Sequence, residues 1–223
     1  MNKLNIMLVF ALAFCILWAG CKQEGTVTDI DGNVYLTITI GQQEWMAENL
    51  RTASYSNGTP ITNITDMDEW EENTSEGSWV YYENDESNDA VYGKLYNWFA
   101  VTDSQGLCPE GWHVPSGDEW NVLTDNFGGP DTAGCSMKES GTNHWESPNT
   151  CANNLSGFTA LPGGYRDPSG FVNIGRHGGW WSTDEDEDNE QRAWFYTLNY
   201  NNSELWNLFM FKKNDLSVRC VKD

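Results

Sequence analysis

Cys108-Pro-Glu-Gly-Trp-His-Val-Pro-Ser-Gly-Asp-Glu-Trp120 puts a cysteine, two tryptophans and a helix start into thirteen residues. Ser116 followed by Glu119 is a capping box: the hydroxyl takes an orphan amide, and the carboxylate reaches back to the cap. Trp120, Leu123 and Phe127 then fall on one helical face. Gly128-Gly129-Pro130 reads as the stop, a left-handed-tolerant glycine before a residue that cannot continue the helix. The spacing predicts a short amphipathic helix over about 116–127, tied down by Cys108 and wedged by Trp112. It is the structural centre of the chain, and no group in it is poised for catalysis.

Working outward to the N-terminus, Asn2-Lys3 precedes an unbroken apolar run at 6–18. That run is too short to span a bilayer comfortably, so 1–20 is expected to be a cleaved signal. Ala19-Gly20-Cys21 resembles the bacterial lipobox, with Trp18 where an aliphatic residue is usual. Its cysteine would carry two acyl chains, each buried methylene contributing about 0.8 kcal/mol. Residues 21–25 are then a lipidated tether and 26–223 a single domain. The expectation is an extracytoplasmic lipoprotein on the outer membrane or cell surface of a bacterium, its membrane partner reached through the N-terminal lipid.

The full chain of 223 residues carries 12 Lys+Arg against 33 Asp+Glu, a formal charge of −21. Removing Lys3 with the signal leaves 11 against 33, or −22. Such a balance argues against nucleic acid and anionic lipid heads as partners. Twelve tryptophans and 13% aromatic content supply ample core, so the charge does not signal disorder.

Four cysteines remain after Cys15 and Cys21: Cys108, Cys135, Cys151 and Cys220. An even number in an exported chain predicts two disulfides with three connectivities open. The preferred one nests Cys135–Cys151, a loop of about 17 residues worth about 3 kcal/mol, inside Cys108–Cys220, worth up to about 4.7 kcal/mol. No C-x-x-C pair supports a metal site.

Along the chain, 26–30 and 34–40 read as a hairpin around Asp31-Gly32, with 43–46 a third strand. Residues 52–77 read as irregular surface with a turn of helix at 66–71. Residues 78–82 read as a strand and 84–89 as a polar loop. Tyr92, Leu95, Tyr96 and Phe99 give i, i+3, i+4, i+7 spacing and predict a second helix to Val101. Residues 130–156 read as loop around the small disulfide. Short strands come next at 158–161, 164–166, 171–174, 179–182, 192–198, 205–211 and 216–221. Two short helices and a loop-rich, disulfide-stapled antiparallel sheet make an α+β domain.

Glu44-Trp-Met-Ala-Glu-Asn-Leu50, Tyr92-Gly-Lys-Leu-Tyr-Asn-Trp98, the Cys108–Trp120 stretch, Leu161-Pro-Gly-Gly-Tyr-Arg166, Gly179-Trp-Trp-Ser-Thr183 and Ser217-Val-Arg-Cys-Val221 resemble the Fibrobacter succinogenes major paralogous domain. The motifs occur in order over about 26–222. The resemblance implies a C-type-lectin-like fold related to the formylglycine-generating sulfatase-modifying domain. It also implies an exported setting and, broadly, binding or adhesion.

Formylglycine generation needs reactive thiolates, and the four cysteines are better used as disulfides. His113, His144 and His177 have no G-x-S-x-G elbow to serve, and His113 reads as a packed or capping histidine. Calcium-dependent lectins use Glu-Pro-Asn and Trp-Asn-Asp tripeptides. Here Glu146-Ser-Pro-Asn149 carries an insertion, and Trp206-Asn207-Leu208 lacks the aspartate. In the loop 184–190, Asp184, Asp186 and Asp188 offer Ca²⁺ ligands but break the EF-hand pattern at Asn189 and Phe195. We therefore assign no cofactor. Trp180, Trp181, Trp194 and Trp206 gather near the C-terminal hairpin, with Trp145 in the disulfide loop. Adjacent strand residues face opposite ways, so on a one-sided sheet Trp180 and Trp181 cannot both be core. Core tryptophans in a fold that uses many are the first reading, and Trp180, Trp181 and Trp206 are the candidate ligand platform if one of the pair is exposed. The reading is a non-enzymatic binding or adhesion domain for a surface polysaccharide or partner protein. Its alternative is a display scaffold for the loops 52–77, 84–89 and 184–190, and a formylglycine-generating-like oxidase comes third.

Overall fold

Ser116 caps the helix as its sequence requires: its hydroxyl accepts from the Glu119 amide, and the Glu119 carboxylate accepts from the Ser116 amide. The computed structural model containing this helix describes residues 24–223. In chain order its strands are β1 (Glu24–Thr28), β2 (Val34–Ile40), β3 (Gln43–Met46), β4 (Thr62–Asn63), β5 (Ser78–Val80), β6 (Leu95–Tyr96), β7 (Trp112–His113), β8 (Tyr165–Asp167), β9 (Gly170–Val172), β10 (His177–Glu185), β11 (Arg192–Asn199), β12 (Leu205–Phe211) and β13 (Val221–Lys222). Its helices are α1 (Met67–Glu72), α2 (Asp89–Tyr92), α3 (Trp98–Val101), α4 (Gly117–Asp125) and α5 (Pro130–Met137). Short helices thus punctuate a mainly antiparallel set of small sheets, and β4–β5 is a parallel pair.

Two sheets organise the molecule. The first, in the order β1-β2-β3-β13-β7, brings both ends of the described chain together. Cys108–Cys220 joins the approach to α4 with the approach to β13, and Cys135–Cys151 closes the small loop. The second runs β10-β11-β12, with β12 at its edge.

Strands β10 and β11 of the second sheet are covered on both faces, which corrects the one-sided premise for Trp180 and Trp181. Trp181, Ala193 and Phe195 enter one hydrophobic cluster, and Trp180, Tyr196 and Leu198 enter another. Both tryptophans are 0% exposed. Each satisfies its indole as burial demands: Trp180 Nε1 donates to Asn49 Oδ1 at 2.9 Å, and Trp181 Nε1 to the Tyr96 carbonyl at 2.8 Å. Neither can serve as a platform.

Three further expectations are corrected. The helix predicted from Tyr92 to Val101 is broken. Gly93, at φ 73°, ends α2, and a Cβ there would lie 2.7 Å from the Leu50 carbonyl. Asn97 then caps α3, its Oδ1 accepting from the Ala100 amide at 3.0 Å, so Leu95 and Tyr96 between the two caps are strand. Second, 130–137 is helix rather than loop. Gly129, at φ 88°, turns the chain, and Pro130 takes the N1 position, where its missing amide costs nothing. The Gly-Gly-Pro sequence is a stop and a start. Third, 158–161 is not a strand; Ala160 makes only a single bridge to Lys138.

Candidate binding surface

The hairpin that carries β12 is fixed at both ends by buried or half-buried cations. At its turn, the fully buried Lys138 ammonium donates to the carbonyls of Thr150, Asn199 and Asn202 at 3.1, 3.0 and 2.8 Å. Burial pulls its pKa down to about 8. Beside it, the Gly134 amide of α5 donates to the Ser203 carbonyl at 2.9 Å, a closeness no Cβ would permit. At the other end, Lys212 lies over the Trp98 ring at 4.4 Å and pairs with Glu185 at 3.0 Å. Lys213 lies over Trp70 at 4.8 Å and pairs with Glu71 at 3.1 Å. Turn and tail are held, so the strand between them is presented rigidly.

That strand reads Leu-Trp-Asn-Leu-Phe-Met-Phe, without a charge, and most of it faces solvent. Trp206 is 42%, Leu208 44%, Phe209 38% and Phe211 46% exposed. Leu205 enters the core, and Met210 packs partly against it. The register sets Trp194 opposite Phe209, their ring centroids 3.8 Å apart, and Arg192 lies over Phe209 at 4.8 Å. Trp206, Leu208 and Met210 project to one face of the edge, and Phe209 and Phe211 to the other.

A hollow opens at each end of the strand. One, of 420 Å³, is lined by Pro130, Asp131, Glu204, Trp206 and Leu208 among others. Its acidic groups have no basic partner in the lining, and Glu204 accepts a hydrogen bond from the Trp206 indole. The other, of 840 Å³, includes Phe99, Pro168, Phe211 and the Lys212 and Lys213 pairs.

Of the predicted platform, the structure leaves Trp206 alone at the surface. Trp145 is buried, its indole donating to the Ala160 carbonyl at 2.9 Å. The acidic loop does not converge as a site. Asp184 accepts from the Gly117 amide at 2.7 Å, the buried Asp186 pairs with Arg192 at 2.5 Å, and Asp188 is exposed. Among the described residues no three His, Cys, Asp or Glu side chains gather as a metal set. In the lectin-like segment, Glu146 pairs with Arg176 at 2.9 Å, and Asn149 is buried, donating to the carbonyls of Glu139 and Gly141. Cys108, Cys220, Cys135 and Cys151 are all spent in disulfides. Cys21, with the expected signal at 1–20, lies outside the described residues.

His113 is a tie between elements. Its Nδ1 meets Asp223 and its Nε2 meets Glu119, each at 2.7 Å. Burial works to lower its pKa, but the two carboxylates outweigh it and hold the pKa above the ordinary value. Sequence reasoning misses Leu208, Phe209 and Phe211 as surface residues, and Trp194 as the ring beneath Phe209. The signal for them is an uncharged seven-residue run lacking the alternation expected of a one-sided strand.

The family model of the Fibrobacter succinogenes major domain matches residues 38–222. No curated protein and no solved structure matches the chain.

Proposed function

The chain belongs to the Fibrobacter succinogenes major domain family, and on that premise we propose that it is a non-catalytic binding or adhesion module of C-type-lectin-like architecture. It is held outside the cytoplasm, on the outer membrane or cell surface of a bacterium, by lipid on Cys21. It meets its ligand, a partner protein or a surface polysaccharide, along β12. The observation that carries the reading is the edge strand itself. Natural sheets blunt their edges with charge, proline or a covering element. This one has α5 packed against it, yet leaves four large apolar side chains exposed. The pairing of all four cysteines among the described residues supports a non-catalytic reading over an oxidase. Because an edge strand has free backbone groups as well as apolar side chains, it favours a protein ligand over a sugar.

The test uses the soluble domain from Gly25 onward, incubated with isolated bacterial envelope and with insoluble polysaccharides, with and without Ca²⁺. We expect envelope retention, independent of Ca²⁺, that falls at least tenfold in a Trp206→Ala, Phe209→Ser double variant. Retention by polysaccharide alone, with the same dependence, would make the ligand a glycan. Retention indifferent to the double variant would move the site to the loops 52–77, 84–89 or 184–190 and restore the display scaffold.

A further inference from the structure

We propose that β12 accepts an extended peptide segment as an added strand, and that this segment is apolar in its middle and carries Lys or Arg at the end lying over Trp206. The proposal rests on the reading of β12 as the binding surface and names the chemistry of its partner.

Three observations combine. β12 pairs on one side only, with β11, so its second row of backbone N–H and C=O groups is unused by the sheet. An occupant that satisfies such a row must be extended, because only a strand repeats donors and acceptors at that spacing. The apolar side chains alternate across both faces of the edge: Trp206 and Leu208 on one, Phe209 and Phe211 on the other. An incoming strand therefore meets apolar surface whichever way each of its side chains points, and its middle must be apolar on both faces. Charge then sets the ends. The hollow beside Trp206 holds Asp131 and Glu204 without a basic residue. Glu204 is held against the indole by its hydrogen bond. A cation entering there pairs with two carboxylates and lies against an aromatic ring, an arrangement that favours Arg or Lys. The hollow beyond Phe211 is close to balanced, Glu71, Glu185 and Glu190 facing Lys212 and Lys213, and demands no particular sign. A second copy of this chain is the poorer occupant. It would bring Glu204 and Asp131 toward the same uncharged strand, and two bodies of formal charge −22, counted without the expected signal, would meet.

The experiment selects binders to the soluble domain from a phage-displayed library of random nine-residue peptides, then measures the enriched peptide by fluorescence anisotropy. We expect enrichment of β-branched and aromatic residues in the middle with Lys or Arg at one end. Binding should weaken about tenfold in an Asp131→Asn, Glu204→Gln variant, and should be abolished when alternate peptide amides are N-methylated on the ladder-facing side. Leu208→Lys, an exposed change that leaves the core alone, should abolish it too. Peptides without a basic end, or binding that survives N-methylation in either register, would overturn the proposal. So would a dimer in sedimentation that Leu208→Lys dissolves, since the occupant would then be a second copy. If the library yields nothing while envelope retention still depends on Trp206 and Phe209, strand addition falls and the binding surface stands. If retention is also independent of them, both fall.

Discussion

His113 shows how one side chain can tie the ends of a fold together and make the tie depend on pH. It sits between Asp223, past the last strand, and Glu119, the working carboxylate of the capping box. Its pKa is raised above 6.5, because the two carboxylates outweigh the burial that opposes them. Glu119 is displaced the other way: burial raises it, but the Ser116 hydrogen bonds and His113 bring it below 4.5. A raised histidine contributes stability that is full below its unfolded value and is lost as pH rises through its folded one. A lowered carboxylate contributes above its unfolded value and loses that contribution as pH falls through its folded one. The tie is therefore complete between about 4.5 and 6.5 and weakens on both sides. A thermal melt series from pH 4 to 9 should show wild type losing stability above pH 6.5 relative to His113→Gln, whose curve is flatter there. An imidazole titration by NMR should place the His113 pKa above 6.5; a value below it would contradict the geometry.

At the scale of the element, what was legible in the sequence is what is written in adjacent residues. The α4 cap needed only Ser116 and Glu119, and the β1–β2 turn only Asp31-Gly32; both form where expected. What was hidden depends on distant contacts. The apparent helical spacing from Tyr92 to Phe99 was overridden by Gly93, which must lie against the Leu50 carbonyl, and by Asn97, which ties α3 to Ser78. The start of α5 was hidden because Pro130 fits a helix stop and a helix start equally well. Trp180 and Trp181, adjacent on one strand, point to opposite faces, and nothing local in the sequence shows that a hydrophobic cluster covers β10 and β11 on each side. The same contrast predicts mutational cost. Leu208→Lys on the open edge should change unfolding free energy by less than about 0.5 kcal/mol. Trp181→Ala, fully buried one strand over from β11, should cost about 3–5 kcal/mol. Urea denaturation of both variants checks the pair; a costly Leu208→Lys would mean that β12 is core rather than display.

At the scale of the whole molecule, buried residues from the segments that resemble the family hold distant parts of the fold together. Asn49 accepts from both Trp180 and Arg219. Arg219 also donates to the carbonyls of Phe158 and Thr159, and its guanidinium lies over Phe158 at 4.1 Å. Arg166 and Asp215 pair at 2.6 Å with both side chains fully buried, and Lys94 donates to the Arg51 carbonyl and Asp89. A buried charge without its partners is costly, so these groups belong to the scaffold. The exposed strand β12 lies between two of those segments and belongs to neither. A scaffold with so little regular structure depends on its covalent ties, and these differ in reach: Cys108–Cys220 spans 112 residues of sequence, Cys135–Cys151 only 16. The long bridge also fixes β13, the strand that joins β3 to β7 and places Asp223 beside His113. Chain entropy alone gives the long bridge about 4.7 kcal/mol and the short one about 3 kcal/mol. Replacing Cys108 and Cys220 by serine should therefore lower stability more than replacing Cys135 and Cys151, and should also release the His113 tie. In the first variant the His113 titration should return toward 6.5, while in the second it should stay where it is in wild type. A double mutant of the short bridge that moved His113 as far as the long one does would show that the disulfides act on one cooperative unit, and that the two ends of the fold are not held independently.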